Sequence, residues 1–164
     1  MALYLVRHGV AVGRSIWDGD DVRRPLTAKG ERQAQALVRL LAGSDVRRIH
    51  SSPAARCHDT VVPLAEQRGL DIHDTVVLVE GGAGKEATAL VVQLAAKKGD
   101  TVLCTHGDLI PEILRRLVRD GLDLESELQF AKGSTWELLT HDGTLRSARY
   151  HPAAEWSPRT TEDA

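Results

Sequence analysis

The chain alternates short apolar runs with amphipathic stretches. Residues 3–6 form a compact apolar run that reads as a buried strand, and residues 101–105 form another. Ala34, Leu37, Val38 and Leu41 recur at helical spacing. They predict an amphipathic helix over residues 28–42, with Thr27 as its N-cap and Gly43 at its end. Residues 48–51 have a weak strand pattern, but their place in the order supports a strand. Ser52 as N-cap and Pro53 at the first helical position predict a helix after it. Cys57, Val61, Leu64 and Ala65 form that helix's inner face, Gly69 follows its end, and Pro63 predicts a kink or a short first helix. Residues 72–79 read as a strand. Ala87, Leu90, Val91, Leu94 and Ala95 mark a helix reaching about Lys98; Ile110, Ile113, Leu114, Leu117 and Val118 mark another, ended by Gly121. Residues 135–140 and 144–150, separated by His141-Asp142-Gly143, predict a hairpin.

Strands alternating with helices predict an α/β fold: a three-layer αβα sandwich with a mainly parallel sheet. Right-handed crossovers then gather the strand carboxyl ends on one edge, where such sheets place ligands. The expected division is one domain over residues 1–150 and a polar C-terminal tail over 151–164, consistent with a length of 164 residues. Net charge is −2, so no basic field points to nucleic acid. No apolar run is long enough to span a membrane, and no secretory signal pattern opens the chain. Cys57 and Cys104 form no disulfide framework, and a cytoplasmic location is the expectation. Nothing in the sequence sets an oligomeric state.

The strand ends carry the chemistry. The first apolar run stops at Arg7-His8-Gly9, and the run through Thr105 stops at His106-Gly107. Between them, Ser51-Ser52-Pro53-Ala54-Ala55-Arg56 marks a strand giving way to a helix. Arg7 and Arg56 suit bidentate grip on phosphoryl oxygens, and a neutral imidazole can attack phosphorus. Residues 10–25 form a long polar loop with Trp17, Asp18, Asp20, Asp21, Arg23 and Arg24, which suggests a functional loop over the site.

These three motifs, in this order, resemble the histidine phosphatase superfamily, also called phosphoglycerate-mutase-like. The short chain and Arg24-Pro25-Leu26-Thr27 resemble the SixA-type phosphohistidine phosphatases. The segments Arg56-Cys57-His58-Asp59-Thr60 and Lys132-Gly133-Ser134-Thr135-Trp136 resemble the phosphatase domain that follows a Nudix domain in mycobacterial MutT-type hydrolases. The resemblance implies a phosphatase with a covalent phosphohistidine intermediate on His8. It implies Arg7, Arg56 and His106 as holders of the phosphoryl group, Gly107 beside them, and Arg24 facing the site. Glu80 matches the position of the family's proton donor, with Glu86, Asp18, Asp20 and Asp21 as rivals. A proton donor matters most when the leaving group is an alkoxide. Phosphoglycerate mutases carry an Asn in the loop after the catalytic His; this chain has Arg14, and it lacks their long insertions.

Several other patterns fail. Gly81-Gly82-Ala83-Gly84-Lys85 lacks the flanking Gly and the Ser or Thr of a phosphate-binding P-loop. Pro63 and Ile110 stand where a cysteine-based phosphatase needs Arg. The 7 histidines show no metal-ligand spacing, so neither metal nor cofactor is expected. The substrate expected first is phosphohistidine on a partner protein, as in SixA-type enzymes. The alternative is a nucleotide or another small phosphorylated metabolite, and the rival from another class is a non-catalytic phosphate-binding module.

Overall fold

The computed structural model describes residues 1–153; the predicted tail beyond them lies outside the described residues. Strand β1 (Ala2–Arg7) leads through the long loop to helix α1 (Ala28–Leu40), β2 (Val46–Ser51) and α2 (Ala55–Arg68). There follow β3 (Ile72–Asp74), α3 (Gly84–Ala95), β4 (Asp100–Thr105) and α4 (Leu109–Arg119). A two-residue strand β5 (Asp123–Leu124) precedes the hairpin of β6 (Thr135–His141) and β7 (Thr144–His151). The seven strands form one sheet in the order β3-β2-β4-β1-β6-β7-β5. β6 runs antiparallel to β1 and β7, and the other neighbours are parallel.

Period-two alternation in the strands divides the core between the two faces of the sheet. Leu3 and Leu5 of β1 join Leu103, Trp136 and Leu138 on the face covered by α3 and α4. Ala2, Tyr4 and Val6 join Val102, Cys104 and Ile49 on the face covered by α1 and α2. The sheet is therefore the middle layer of a three-layer sandwich. Among the described residues no helix is long and apolar enough to cross a membrane.

Local signals explain the element ends. Thr27 Oγ1 accepts the Gly30 N–H at 3.2 Å and caps α1. Gly69 ends α2 at φ 63°, a conformation costly for a side-chain-bearing residue. In the hairpin, Asp142 and Gly143 take φ 50° and 72°, the two left-handed positions of a type I′ turn.

Four sequence-based expectations change. α2 begins at Ala55, with Ala54 at its N-cap position, so Ser52 does not cap it; the Ser52 hydroxyl is within 2.8 Å of His106 Nε2 instead. α2 also continues through Pro63. Asp59, whose carbonyl loses its helical partner there, is exposed and open to water. The strand expected over residues 72–79 stops at Asp74 and becomes a 3₁₀ turn, Val76–Leu78. Ile72 packs on the α1/α2 face but Leu78 is buried on the α3/α4 face, so the chain must round the sheet edge between them. Val118 is 42% exposed and lies off the apolar face of α4.

Candidate active site

β1 and β4 are parallel neighbours with Arg7 opposite Thr105. The residue after each strand end is a histidine, so register alone puts His8 beside His106. Their ring centroids are 5.4 Å apart, at an interplanar angle of 66°. β2 lies on the other side of β4, and Arg56, the second residue of α2, enters from there. A cavity of about 320 Å³ results, lined by Arg7, His8, Arg14, Arg24, Arg56 and Glu80, with Gly107, Asp108 and Lys132 along its wall. A roomier groove of about 540 Å³ lies between α1 and α2, and no histidine lines it.

His8 is buried at 7% exposure. Its Nδ1 lies 2.7 Å from the Gly9 carbonyl, which fixes that nitrogen as the N–H donor in the neutral ring. Nε2 is then the nitrogen with a free lone pair. Burial is the main cause that pushes the His8 pKa down to about 3, with the charges of His106, Arg56 and Arg7 adding to it. The ring is therefore neutral at physiological pH.

Arg7 donates from Nη1 to the Phe130 carbonyl at 2.7 Å. Burial lowers its pKa from the ordinary value, while Asp108 and Glu80 act in the opposite direction. Arg56 is 2% exposed; it donates to the Asp21 carbonyl at 3.0 Å and to Glu80 Oε2 at 3.0 Å. The Nε–H groups of both arginines are buried and have no hydrogen-bond partner among the described residues.

Arg24 is buried at 7% exposure and lines the same cavity. It bonds Asp21 at 3.0 Å and the Val12 carbonyl at 2.7 Å, so it braces the loop as well as facing the site. Glu80 also lines the cavity, as an ion-pair partner of Arg56 and Arg14. Asp21 sits beside it, 3.2 Å from Arg56. Slight burial would raise the Asp21 carboxyl, but the Arg24 hydrogen bond and the Arg56, Arg24 and Arg14 charges hold it below the usual carboxylate range. Glu86, Asp18 and Asp20 are exposed and line none of this cavity.

Gly107 lies in close approach to the Arg7 guanidinium. A Cβ there would fall 2.5 Å from Arg7 Cζ. Three other residues position the site without having been expected to. Thr60 Oγ1 accepts the Gly9 N–H at 3.0 Å and ties the residue after His8 to α2. Gln33 accepts the Val10 N–H and donates to the Lys132 carbonyl, linking three segments around the cavity. Cys57, expected only as core, places its sulfur 3.5 Å from His106 Nε2. Each lies on a helix face that also reads as ordinary packing, so only spatial neighbours identify them. Asp108 accepts the Gly81 N–H at 2.7 Å and lines the cavity; its place directly after His106-Gly107 was the available signal.

Comparisons with known proteins bear on this arrangement. Residues 3–89 match the model of the histidine phosphatase superfamily (branch 1), a span that includes His8, Arg56 and Glu80. An 8-oxo-(d)GTP phosphatase of Mycolicibacterium smegmatis is 35% identical over 149 residues, 89% of this chain and 46% of the relative. The chain spans less than half the length of the curated relatives it matches. A putative phosphohistidine phosphatase SixA from Nakamurella multipartitia superposes with a TM-score of 0.67 at 27% identity, covering 94% of this chain and 98% of that one. The protein histidine phosphatase SixA complexed with tungstate superposes with a TM-score of 0.70, covering 90% of this chain and 96% of that one. At 20% identity, this second likeness supports the fold alone. The chain belongs to the histidine phosphatase superfamily, branch 1.

Proposed function

We propose that this chain is a phosphohydrolase that passes a phosphoryl group through His8. The observation that carries the reading is that Arg7 and Arg56 line one cavity with a neutral His8. His8 Nε2 attacks phosphorus, the N–P bond forms, and the bond to the leaving group breaks. Arg7, Arg56 and His106 hold the phosphoryl oxygens, whose charge grows in a loose transition state. Glu80 supplies a proton where the leaving atom is an alkoxide oxygen. Water then cleaves the N–P bond, giving phosphate and restoring neutral His8. No step requires a metal or cofactor, and the chemistry is contained in residues 1–150 as one catalytic unit.

For the substrate, a phosphohistidine on a partner protein needs open access. The likeness to SixA-type structures supports that reading. A small phosphorylated metabolite suits a rimmed cavity. Here the ion pair between Arg14 and Glu80 joins the long loop to the segment before α3 at the cavity rim, and this favours the small metabolite. The name of the 35%-identical relative points the same way.

The test is phosphate release by wild type and His8→Ala from four substrates: an aryl phosphate, a phosphohistidine peptide, a nucleoside diphosphate and a sugar monophosphate. Wild type should turn over the aryl phosphate, and His8→Ala should lose about a thousandfold or more. Equal release by the two proteins would sink the proposal and leave a phosphate-binding module.

A further inference from the structure

The carboxylate proposed as acid is occupied. Both oxygens of Glu80 accept from Arg14 Nη2, at 2.7 and 2.8 Å, and Oε2 also accepts from Arg56 Nη2 at 3.0 Å. Arg14 Nε lies 3.8 Å from Asp21. A chain of ion pairs therefore runs from the deep guanidinium of Arg56, through Asp21 and Glu80, to Arg14 at the surface. Its two ends differ physically. The Arg56 side chain is 2% exposed, whereas that of Arg14 is 63% exposed. An exposed ion pair is worth little and exchanges readily for another anion. Arg14 lines the same cavity as His8 and Arg7, and Lys132 adds a further cation to that lining.

We infer that Arg14 is a specificity-determining residue that binds a second anionic group next to the scissile phosphoryl, as in the terminal diphosphate of a phosphoanhydride. The inference rests on the phosphohydrolase reading above and names the substrate class for that site. Arg7 and Arg56 take the transferred phosphoryl, and Arg14 leaves Glu80 for the adjacent phosphate. The exchange frees Glu80 Oε1, while Oε2 keeps its bond to Arg56. The terminal phosphoryl passes to His8 Nε2, the bridging P–O bond breaks, and the bridging oxygen departs with the remaining monophosphate. Water then returns His8 and frees inorganic phosphate. A substrate with one phosphoryl and no second anion leaves Arg14 on Glu80, so poor leaving groups on such substrates react slowly. Selectivity thus comes from a side chain at the rim, whereas the phosphoryl-gripping groups are deep and treat all substrates alike.

The experiment measures binding of inorganic phosphate and of imidodiphosphate by calorimetry, with wild type, Arg14→Gln and Arg14→Lys. The same proteins are assayed for hydrolysis of pyrophosphate against 4-nitrophenyl phosphate. Wild type should prefer imidodiphosphate to phosphate, and Arg14→Gln should shrink that preference by about tenfold or more, the effect of losing one charge-assisted contact. The ratio of kcat/KM for pyrophosphate to that for 4-nitrophenyl phosphate should fall in parallel, mainly through KM, and Arg14→Lys should restore part of both. The same preference in wild type and Arg14→Gln would overturn the inference, as would a uniform loss on every substrate. If nothing turns over but Arg14→Gln still abolishes the binding preference, the phosphohydrolase reading fails and the assignment of Arg14 stands.

Discussion

His8 combines two requirements that usually conflict, a buried position and a reactive lone pair. Burial and the cations around it keep the ring neutral, and the Gly9 carbonyl orients it. The arginines that contribute to this neutrality are the groups proposed to hold the phosphoryl oxygens, so nucleophile and anion site are electrostatically matched. Gly107 shows how little room the arrangement leaves. A Cβ there would fall 2.5 Å from Arg7 Cζ and 2.7 Å from its Nε and Nη2, so the guanidinium would have to move. Gly107→Ala should lower kcat/KM by roughly 10- to 100-fold, the usual effect of a misplaced positioning group. Its φ lies outside the left-handed region, so backbone strain adds nothing. A kinetic loss with an unshifted thermal midpoint is the expected signature; wild-type kinetics would show that Arg7 tolerates the methyl group.

At the scale of elements, the site depends on how segments end. α1 is started by Thr27, whose hydroxyl also donates to the Val10 carbonyl at 3.0 Å, tying the helix start to the loop after β1. Thr27→Ala removes both bonds and should cost about 1 kcal/mol, while Thr27→Ser keeps them and should cost less. Urea unfolding of the two variants distinguishes these cases, and equal midpoints would show that the cap contributes nothing. The early end of β3 matters more for chemistry. The run through Val76, Val77 and Leu78 reads as strand because periodicity reports burial without saying on which face. Rounding the sheet edge brings Leu78 into the α3/α4 core, and Glu80 follows two residues later beside Arg56. A continuous strand would not make that turn.

Over the whole molecule, the cavity sits where the connections diverge. The chain leaving β1 goes to α1 on one face of the sheet, and the chain leaving β4 goes to α4 on the other. The crevice between two neighbouring strand ends is the ligand position expected for open α/β sheets. Holding a histidine there affects the global stability. The folded-state pKa of His8, about 3, lies below the ordinary histidine value of 6.5, so between these values the unfolded chain binds the proton more tightly. The contribution is fully present above pH 6.5 and is lost as pH falls towards 3. Its slope is at most ~1.4 kcal/mol per pH unit. Denaturant midpoints should therefore fall on acidification from neutral pH, and His8→Asn should flatten the dependence. An unchanged slope in that variant would assign the acid sensitivity to other groups, among them His50, whose burial also lowers its pKa.

Much of this protein is legible in one dimension. Apolar periodicity marks β1, β4, four helices and the hairpin, because burial on one face imposes a repeat on any sequence. Three motifs at strand ends single out His8, Arg56 and His106 as candidates, because the proposed chemistry needs those side chain types whatever surrounds them. Tertiary structure decided the rest. Ser52 reads as a helix cap, yet its hydroxyl lies beside His106 because β2 and β4 are neighbours. Asp123–Leu124 is a strand only because it pairs with Ser147 and Ala148 of β7. Arg14, Asp21 and Glu80 are separate candidates in the sequence, and they form one chain of ion pairs because two loops distant in sequence meet over Arg56. Periodicity and motif are local properties that the chain carries by itself. Pairing between distant segments depends on the order of strands in the sheet, and that order exists only in the folded molecule.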